Sequence, residues 1–227
     1  MSTPAVPAAT VVLGRDRAAG LEVLLLKRTR GASFAAGAWV FPGGRVDPAD
    51  AGPHTVDSLH AARRAAARET AEEAGIDLGE AELHPMAQWS PAPEAPTRFA
   101  TWMLFGSAPE PAEVTVDGGE ITEHRWVRPA DALAENARRE LLLLPPTWMT
   151  LRFLSDYPDC AAAIEGIART PVESYESRLT LLDDCRVVLW HGDAGYETAD
   201  PLVPGPRHRL ILARSGWRLE KNLTGPG

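Results

Sequence analysis

Apolar residues arrive in short runs broken by polar turns along the first two thirds of the chain. "ATVVLG" and "LEVLLLKR" are β-branched and leucine runs separated by the turn "RDRAAG", a pattern that predicts two consecutive strands. "AWVF" predicts a third, stopped by Pro42, and "GPHTVD" a loop. "SLHAARRAAARETAEEAG" is built almost wholly of good helix formers, with Asp57 or Ser58 as N-cap and Gly75 as the stop. "MAQWS" and "RFATWMLFG" then predict strands around the loop "PAPEAPT", "HRWV" another strand, and "PADALAENA" a short helix. "LLLLPPTWMTLRFLSDY" predicts a linker and a helix begun at Pro145 and Pro146, and from Pro171 the runs "CRVVLW" and "HRLILAR" predict short strands between Gly- and Pro-containing loops. The sum is a mixed α/β chain with a C-terminal extension.

Composition narrows what such a chain does. At 227 residues, with 44% hydrophobic and 24% charged residues, it is long enough to bury a real core. A formal net charge of −8 argues against a nucleic-acid backbone as main partner and favours a small ligand gripped by a local basic patch. Cys160 and Cys185 form neither a CxxC pair nor a zinc-ligand cluster, which predicts two reduced thiols in a cytoplasmic protein. The longest aliphatic runs, "VLLL" and "LLLL", are too short to span a bilayer, and "MSTPAVPAATVVLG" has no basic segment ahead of its apolar residues, so no membrane partner is expected.

The chemistry sits on the alanine-rich helix. Positions three and four apart are neighbours on a helix, so Glu69, Glu72 and Glu73 share one face. Converging carboxylates repel one another, and a hard divalent cation such as Mg²⁺ or Mn²⁺ asks for that donor set. The same spacing also suits a solvated face laced by Arg64 to Arg68 and Arg68 to Glu72 pairs.

Together with "FPGGRVDPAD", the helix resembles the box of the Nudix hydrolase superfamily: Gly, five residues, Glu, seven residues, then Arg-Glu-aliphatic-any-Glu-Glu-any-Gly-aliphatic. Arg68, Glu69, Glu72, Glu73, Gly75 and Ile76 match its second half, with Thr70 at an aliphatic position. Gly44 followed by five residues reaches Asp50, an acid where the pattern has Glu, and about ten extra residues then separate Asp50 from Arg68. A register held rigid from Arg68 would put His60 at the acid position; an inserted loop instead keeps Pro42 to Gly44 in place, and is the reading preferred. A narrower likeness covers "LLLKRTRGASFAAGAWVFPGG", where Arg28, Thr29, Gly37 and Phe41 to Gly44 keep the register of the coenzyme A diphosphatase signature, with Ser33 in place of its second Arg and Leu26 in place of Thr or Val. From about Val11 to about Tyr157 the chain is similar to the mammalian peroxisomal branch of those enzymes, which also carries an insertion in its box, although "TGPG" is not a peroxisomal address.

The resemblance implies a Nudix-type α/β/α sandwich with a mixed β-sheet over residues 8–157, and residues 158–227 as a helix and strand extension packed on the same domain. It implies Mg²⁺ or Mn²⁺ bound by Glu69, Glu72, Glu73 and the Gly43 carbonyl, with Arg68 orienting a glutamate, Gly44 and Gly75 shaping the backbone, and Asp50 as the displaced first acid. It also implies a later acid as ligand or general base, for which Glu120 is the candidate and Glu123 the alternate, with a solvated loop acid beside Gly118 and Gly119 as the competing reading of Glu120. Arg28, Arg30 and Arg98 are candidates for a substrate phosphate, and Trp89 and Trp102 for stacking on adenine or lining a channel, with core packing as the alternative for either tryptophan. His60, His84, His124 and His191 share no metal-ligand spacing.

Three functions remain open at this stage: hydrolysis of coenzyme A or acyl-coenzyme A to 3′,5′-ADP and (acyl-)phosphopantetheine, hydrolysis of ADP-ribose, NADH or another nucleoside diphosphate derivative, and a non-catalytic ligand sensor. The C-terminal segment either covers the sheet or forms a homodimer interface.

Overall fold

The two N-terminal runs form β1 (Val6–Arg17) and β2 (Gly20–Arg28), and "AWVFPGGR" splits into β3 (Trp39–Val40) and β4 (Gly43–Arg45). In this computed structural model residues 5–32, 35–79, 81–91 and 98–223 are described; Ser33, most of the "PAPEAPT" loop and the terminal "TGPG" lie outside them. Next come α1 (Pro48–Ala51), α2 (Leu59–Ala74), β5 (His84–Ser90), β6 (Phe99–Ser107), β7 (Ile121–Val127), α3 (Pro129–Ala137) and α4 (Pro145–Leu154). The C-terminal part adds α5 (Cys160–Arg169), β8 (Glu173–Glu176), β9 (Arg178–Leu182), β10 (Cys185–Leu189), β11 (Arg207–Ala213) and β12 (Gly216–Asn222).

Among the described residues, eight strands form one mixed sheet, ordered β3-β2-β1-β6-β5-β8, with β4 also paired to β1 and β7 to β2. β1 runs parallel to β6 and antiparallel to β2 and β4. Side chains of successive strand residues point to opposite faces, and both faces are covered. Ala9, Val11 and Leu13 of β1, Leu24 and Leu26 of β2 and Leu104 of β6 pack with Ala61, Ala62, Ala65 and Ala66 of α2. Val12, Val23, Leu25, Met103 and Phe105 pack on the other side with Trp148, Leu151 and Leu154 of α4 and Ala163 and Ile167 of α5. This is the α/β/α sandwich with a mixed sheet that the resemblance implies.

Two features depart from the pattern reading. "GPHTVD" is free of helix and strand as expected, but ahead of it the chain makes one unexpected turn of helix, α1, begun at Pro48 and closed by a capping box between Asp47 and Asp50. The C-terminal segment holds more strand than two apolar runs suggested. β8 joins the main sheet by parallel pairing with β5, while β9 to β12 form a separate antiparallel sheet in the order β12-β11-β10-β9. β9 and β12 escape apolar-run detection because β9 leaves Leu179 and Leu181 exposed and β12, "GWRLEKN", is largely polar. Val188 and Leu210 of this second sheet enter the same core as α4 and α5.

The second sheet is pinned by a buried ion pair. Arg209 donates from Nε and Nη2 to the two carboxylate oxygens of Asp193 at 2.7 and 2.6 Å, and from Nη1 to the Pro201 carbonyl. Asp193 also accepts from the backbone N–H groups of Gly195 and His208, so both buried charges are well satisfied. No helix of the described residues is long and apolar enough to cross a membrane. Removing one partner strands the other charge in the core. Arg209→Met is therefore expected to lower unfolding free energy by about 3–5 kcal/mol in urea titration, with Asp193→Asn in the same chain recovering part of the loss.

Candidate active site

Helix α2 is placed by its ends and by its smallest face. Ser58 Oγ accepts from the Ala61 N–H, and Gly75, in the left-handed conformation at φ 68°, closes the C-terminus onto the Ala71 carbonyl. The face against the sheet is alanine, so the helix axis approaches β1 and β4 closely. Thr70, at the position where an aliphatic residue was expected, is fully buried and donates its hydroxyl to the Ala66 carbonyl at 2.7 Å. Its polar atom is thereby satisfied and its methyl packs.

The two glycines of β4 meet this helix. Gly43 donates its N–H to Glu73 Oε2 at 3.0 Å. A Cβ on Gly43 would lie 2.3 Å from the Ala9 carbonyl oxygen, and one on Gly44 2.4 Å from the Glu69 carboxyl. Both glycines are thus needed as glycines, the first against backbone and the second against a functional side chain.

Arg68 organises the outer acids. Its Nε and Nη2 fork onto the two oxygens of Asp50 at 3.3 and 3.0 Å, Nη2 also donates to the Arg45 carbonyl, and Nη1 reaches Glu69 at 2.8 Å and Glu72 at 3.2 Å. Asp50 is buried, and besides Arg68 it accepts the N–H of Asp47. Burial pushes its carboxyl up, but the Arg68 and Asp47 hydrogen bonds outweigh that and hold it below its ordinary value. Asp50 therefore faces Arg68 and is presented to it by α1.

Glu73 is the most enclosed carboxylate of the helix, with Glu69 next and Glu72 largely exposed at 59% of its side chain. Burial raises the Glu73 carboxyl to about 7; the Gly43 N–H and Arg28 oppose the rise, and Glu69 and Glu120 add to it. Burial likewise raises Glu69, against the pull of Arg68. On the other side, Arg28 Nη1 lies 3.9 Å from Glu73 and Nη2 3.1 Å from Glu120. Glu120 is held at this place by Asp117, whose carboxylate accepts the N–H groups of Glu120 and Ile121. Glu123 instead pairs with Lys27 at 2.6 Å.

The structure thus brings Gly43, Gly44, Asp50, Arg68, Glu69, Glu72 and Glu73 together and adds Arg28 and Glu120 opposite them. Among the described residues no three His, Cys, Asp or Glu side chains close into a ready-made metal cage, because Glu72 turns outward to Arg68 and Glu73 to the Gly43 N–H. The donor chemistry nevertheless fits a hard cation: two adjoining carboxylates, both driven toward the neutral form by burial, are relieved by a divalent ion. The remaining candidates fall elsewhere. Arg30 is exposed on the turn after β2. Arg98 is half-buried just before β6, its carbonyl accepting from the Val6 N–H. Trp102 stands in one cross-strand row with Ala9 and Gly44, and its indole N–H donates to the Asp57 carbonyl at 3.3 Å, holding the end of the insertion to the sheet. Trp89 stacks on Tyr175 in the opposite core, as core packing required. Asp117 and the Arg45 carbonyl were missed by the sequence reading; an Asp three residues before Glu120 with two glycines between is a turn signal that would have found the first.

Residues 4–144 match the NUDIX domain family model, and the chain belongs to that family. A NUDIX hydrolase from Alicyclobacillus acidocaldarius superposes with a TM-score of 0.65 at 25% sequence identity, covering 72% of this chain and 96% of that one. A Caenorhabditis elegans (C. elegans) Ap4A hydrolase aligns at 25% identity over 65% of this chain and 93% of its own, with a TM-score of 0.47. The chain is a hydrolase acting on pyrophosphate bonds.

The two glycines predict opposite outcomes. Gly43→Ala collides with backbone and should lower the melting temperature sharply, whereas the atoms nearest a Gly44→Ala Cβ belong to the movable end of Glu69, so melting should change little while turnover falls by about 10²-fold. The Glu73 shift fixes a pH dependence. Between the ordinary value of 4.5 and about 7 the unfolded chain has lost the Glu73 proton and the folded one keeps it, so this residue's contribution to stability falls as pH rises through that window. In the presence of a chelator, Glu73→Gln should raise the melting temperature at pH 8 and leave it nearly unchanged at pH 4.

Proposed function

We propose that Glu69, Glu73 and Glu120, with Arg28, form the centre at which the diphosphate of coenzyme A or its acyl form is hydrolysed to 3′,5′-ADP and (acyl-)phosphopantetheine. The observation that carries the reading is the meeting of two carboxylates of α2, both pushed up by burial, with the Arg28–Glu120 pair across the glycines of β4. Glu69 and Glu73, with Glu72 and the Gly43 carbonyl as further donors, would hold Mg²⁺ or Mn²⁺, which supplies neutralising charge to the diphosphate oxygens.

The chain's own groups divide the remaining tasks. Glu120 is 69% exposed at the end of a fixed turn, where it takes the proton of the attacking water, whereas Glu123 is committed to Lys27. Water oxygen bonds to one phosphorus, the bond from that phosphorus to the bridging oxygen breaks, and the departing phosphate carries away the electron pair. Arg28 has a buried Nε with no partner among the described residues, a donor suited to a phosphate oxygen beside the carboxylates. Arg68 has its donors committed to Asp50, Glu69, Glu72 and the Arg45 carbonyl, so it positions Glu69 and takes no part in proton transfer. Coenzyme A is favoured by the register of Arg28, Thr29, Gly37 and Phe41 to Gly44, and exposed Arg30 is the candidate for its 3′-phosphate.

Purified protein incubated with Mn²⁺ and a panel of coenzyme A, ADP-ribose, NADH and diadenosine polyphosphates should release 3′,5′-ADP fastest from coenzyme A. Faster cleavage of ADP-ribose with coenzyme A untouched would replace the substrate, and binding without turnover across the panel would make the protein a sensor. Glu73→Gln is expected to lower kcat by about 10²-fold or more, and unchanged turnover would remove Glu73 from the centre.

A further inference from the structure

We propose that Asp117 is a positioning residue of the hydrolysis, acting through Glu120: it fixes that carboxylate at the place where the attacking water loses its proton. The inference rests on the reading of Glu120 as general base. Glu120 is the last residue before β7 and follows Gly118 and Gly119. Two successive glycines are the most permissive of backbones, and packing adds no restraint to these. A Cβ on Gly118 would have no atom within 4 Å, and one on Gly119 would meet only the Asp117 carboxylate, at 3.3 Å. Left to itself, a turn of this composition would spread Glu120 over many positions.

Hydrogen bonds supply the missing restraint. Asp117 Oδ2 accepts the Glu120 N–H at 3.0 Å and Oδ1 accepts the Ile121 N–H at 2.9 Å, so one carboxylate closes over both glycines and grips the first residue of β7. Burial pushes the Asp117 carboxyl up, but the N–H groups of Glu120, Ile121 and Gly119 outweigh that and hold it below its ordinary value, which keeps the ionised, doubly accepting form. The Glu120 carbonyl accepts the Thr29 N–H at 2.8 Å, and Ile121 pairs with Arg28 where the β2 to β7 ladder shifts register. Glu120 and Arg28, 3.1 Å apart at their side chains, are thus hung from one junction of backbone. The Thr29 contact is main chain to main chain, whereas the Asp117 contact is the one that a side-chain change removes. Glu123 lies within β7 and pairs with Lys27, so Asp117 has no comparable hold on it.

The test uses the full chain with Mn²⁺ and whichever substrate of the panel it cleaves fastest, so the outcome does not hang on coenzyme A. Asp117→Ala should melt close to the unaltered protein, because the turn is exposed, and should lower kcat by about 10-fold or more with KM changed by less than about 2-fold. Asp117→Asn keeps one acceptor oxygen and should fall between the two. Glu120→Gln should lower kcat by about 10²-fold, and adding Asp117→Ala to it should cost nothing further, since nothing is left to position. A merely structural role would instead add its own loss. If Asp117→Ala fails to fold, Asp117→Asn takes its place in the same cycle. Full kcat in the Asp117 variant, a raised KM with kcat kept, or additive losses in the double variant, each beside an impaired Glu120→Gln, would overturn the role of Asp117 and leave the reading of Glu120 standing. An unimpaired Glu120→Gln would overturn that reading itself, and the inference with it.

Discussion

The site depends on how near a helix can come to a strand. Gly43 and Gly44 carry no Cβ, and the space so left is taken by the Ala9 carbonyl on one side and by the Glu69 carboxyl on the other. The alanine face of α2 is the counterpart of that gap. Larger side chains would bury more apolar area at each contact but would hold the helix away from β4, beyond the reach of the Glu73 to Gly43 hydrogen bond. Packing area is given up so that carboxylates can be buried beside backbone.

Buried acids must then be answered. Arg68 answers the outer set and in doing so gives Asp50 a structural task, orienting the arginine that orients Glu69. Arg28 answers the inner set from the end of β2, where the ladder to β7 shifts register between Lys27 and Arg28. The insertion belongs to the same economy. It lengthens the path between Asp50 and α2, yet α1 turns Asp50 back toward Arg68, and Trp102 holds the far end of the loop at Asp57. A surface loop tolerates the extra length because closure entropy grows slowly with it.

Sequence beyond the family-matched segment does more than continue the chain. β8 extends the main sheet, and α4, α5 and the second sheet share one core with the face of that sheet remote from α2. The second sheet is anchored internally by Asp193 and Arg209, a pair worth little against an apolar core but costly to break. The aromatic cluster of Trp89, Tyr175 and Trp190 lies where these parts join.

How much of this could be read beforehand follows from the range of each interaction. The alanine-rich helix with its caps, the apolar runs of β1, β2 and β6 and the prolines opening α3 and α4 are local patterns, and each is legible in a few consecutive residues. So is the shared face of Glu69, Glu72 and Glu73, because helical geometry alone puts them together. β9, β12 and α1 were not legible, since their hydrogen bonds and partners come from pairing and capping and not from an apolar period. Nor were the roles of neighbouring acids: nothing local separates Glu120 from Glu123, and only the fold sends one to Arg28 and the other to Lys27. The sequence by itself determined which residues form the helix and strands and which acids share a face. Tertiary structure alone decided which charge meets which, because burial and separation across strands set those partners, and neither is a property of any short stretch of chain.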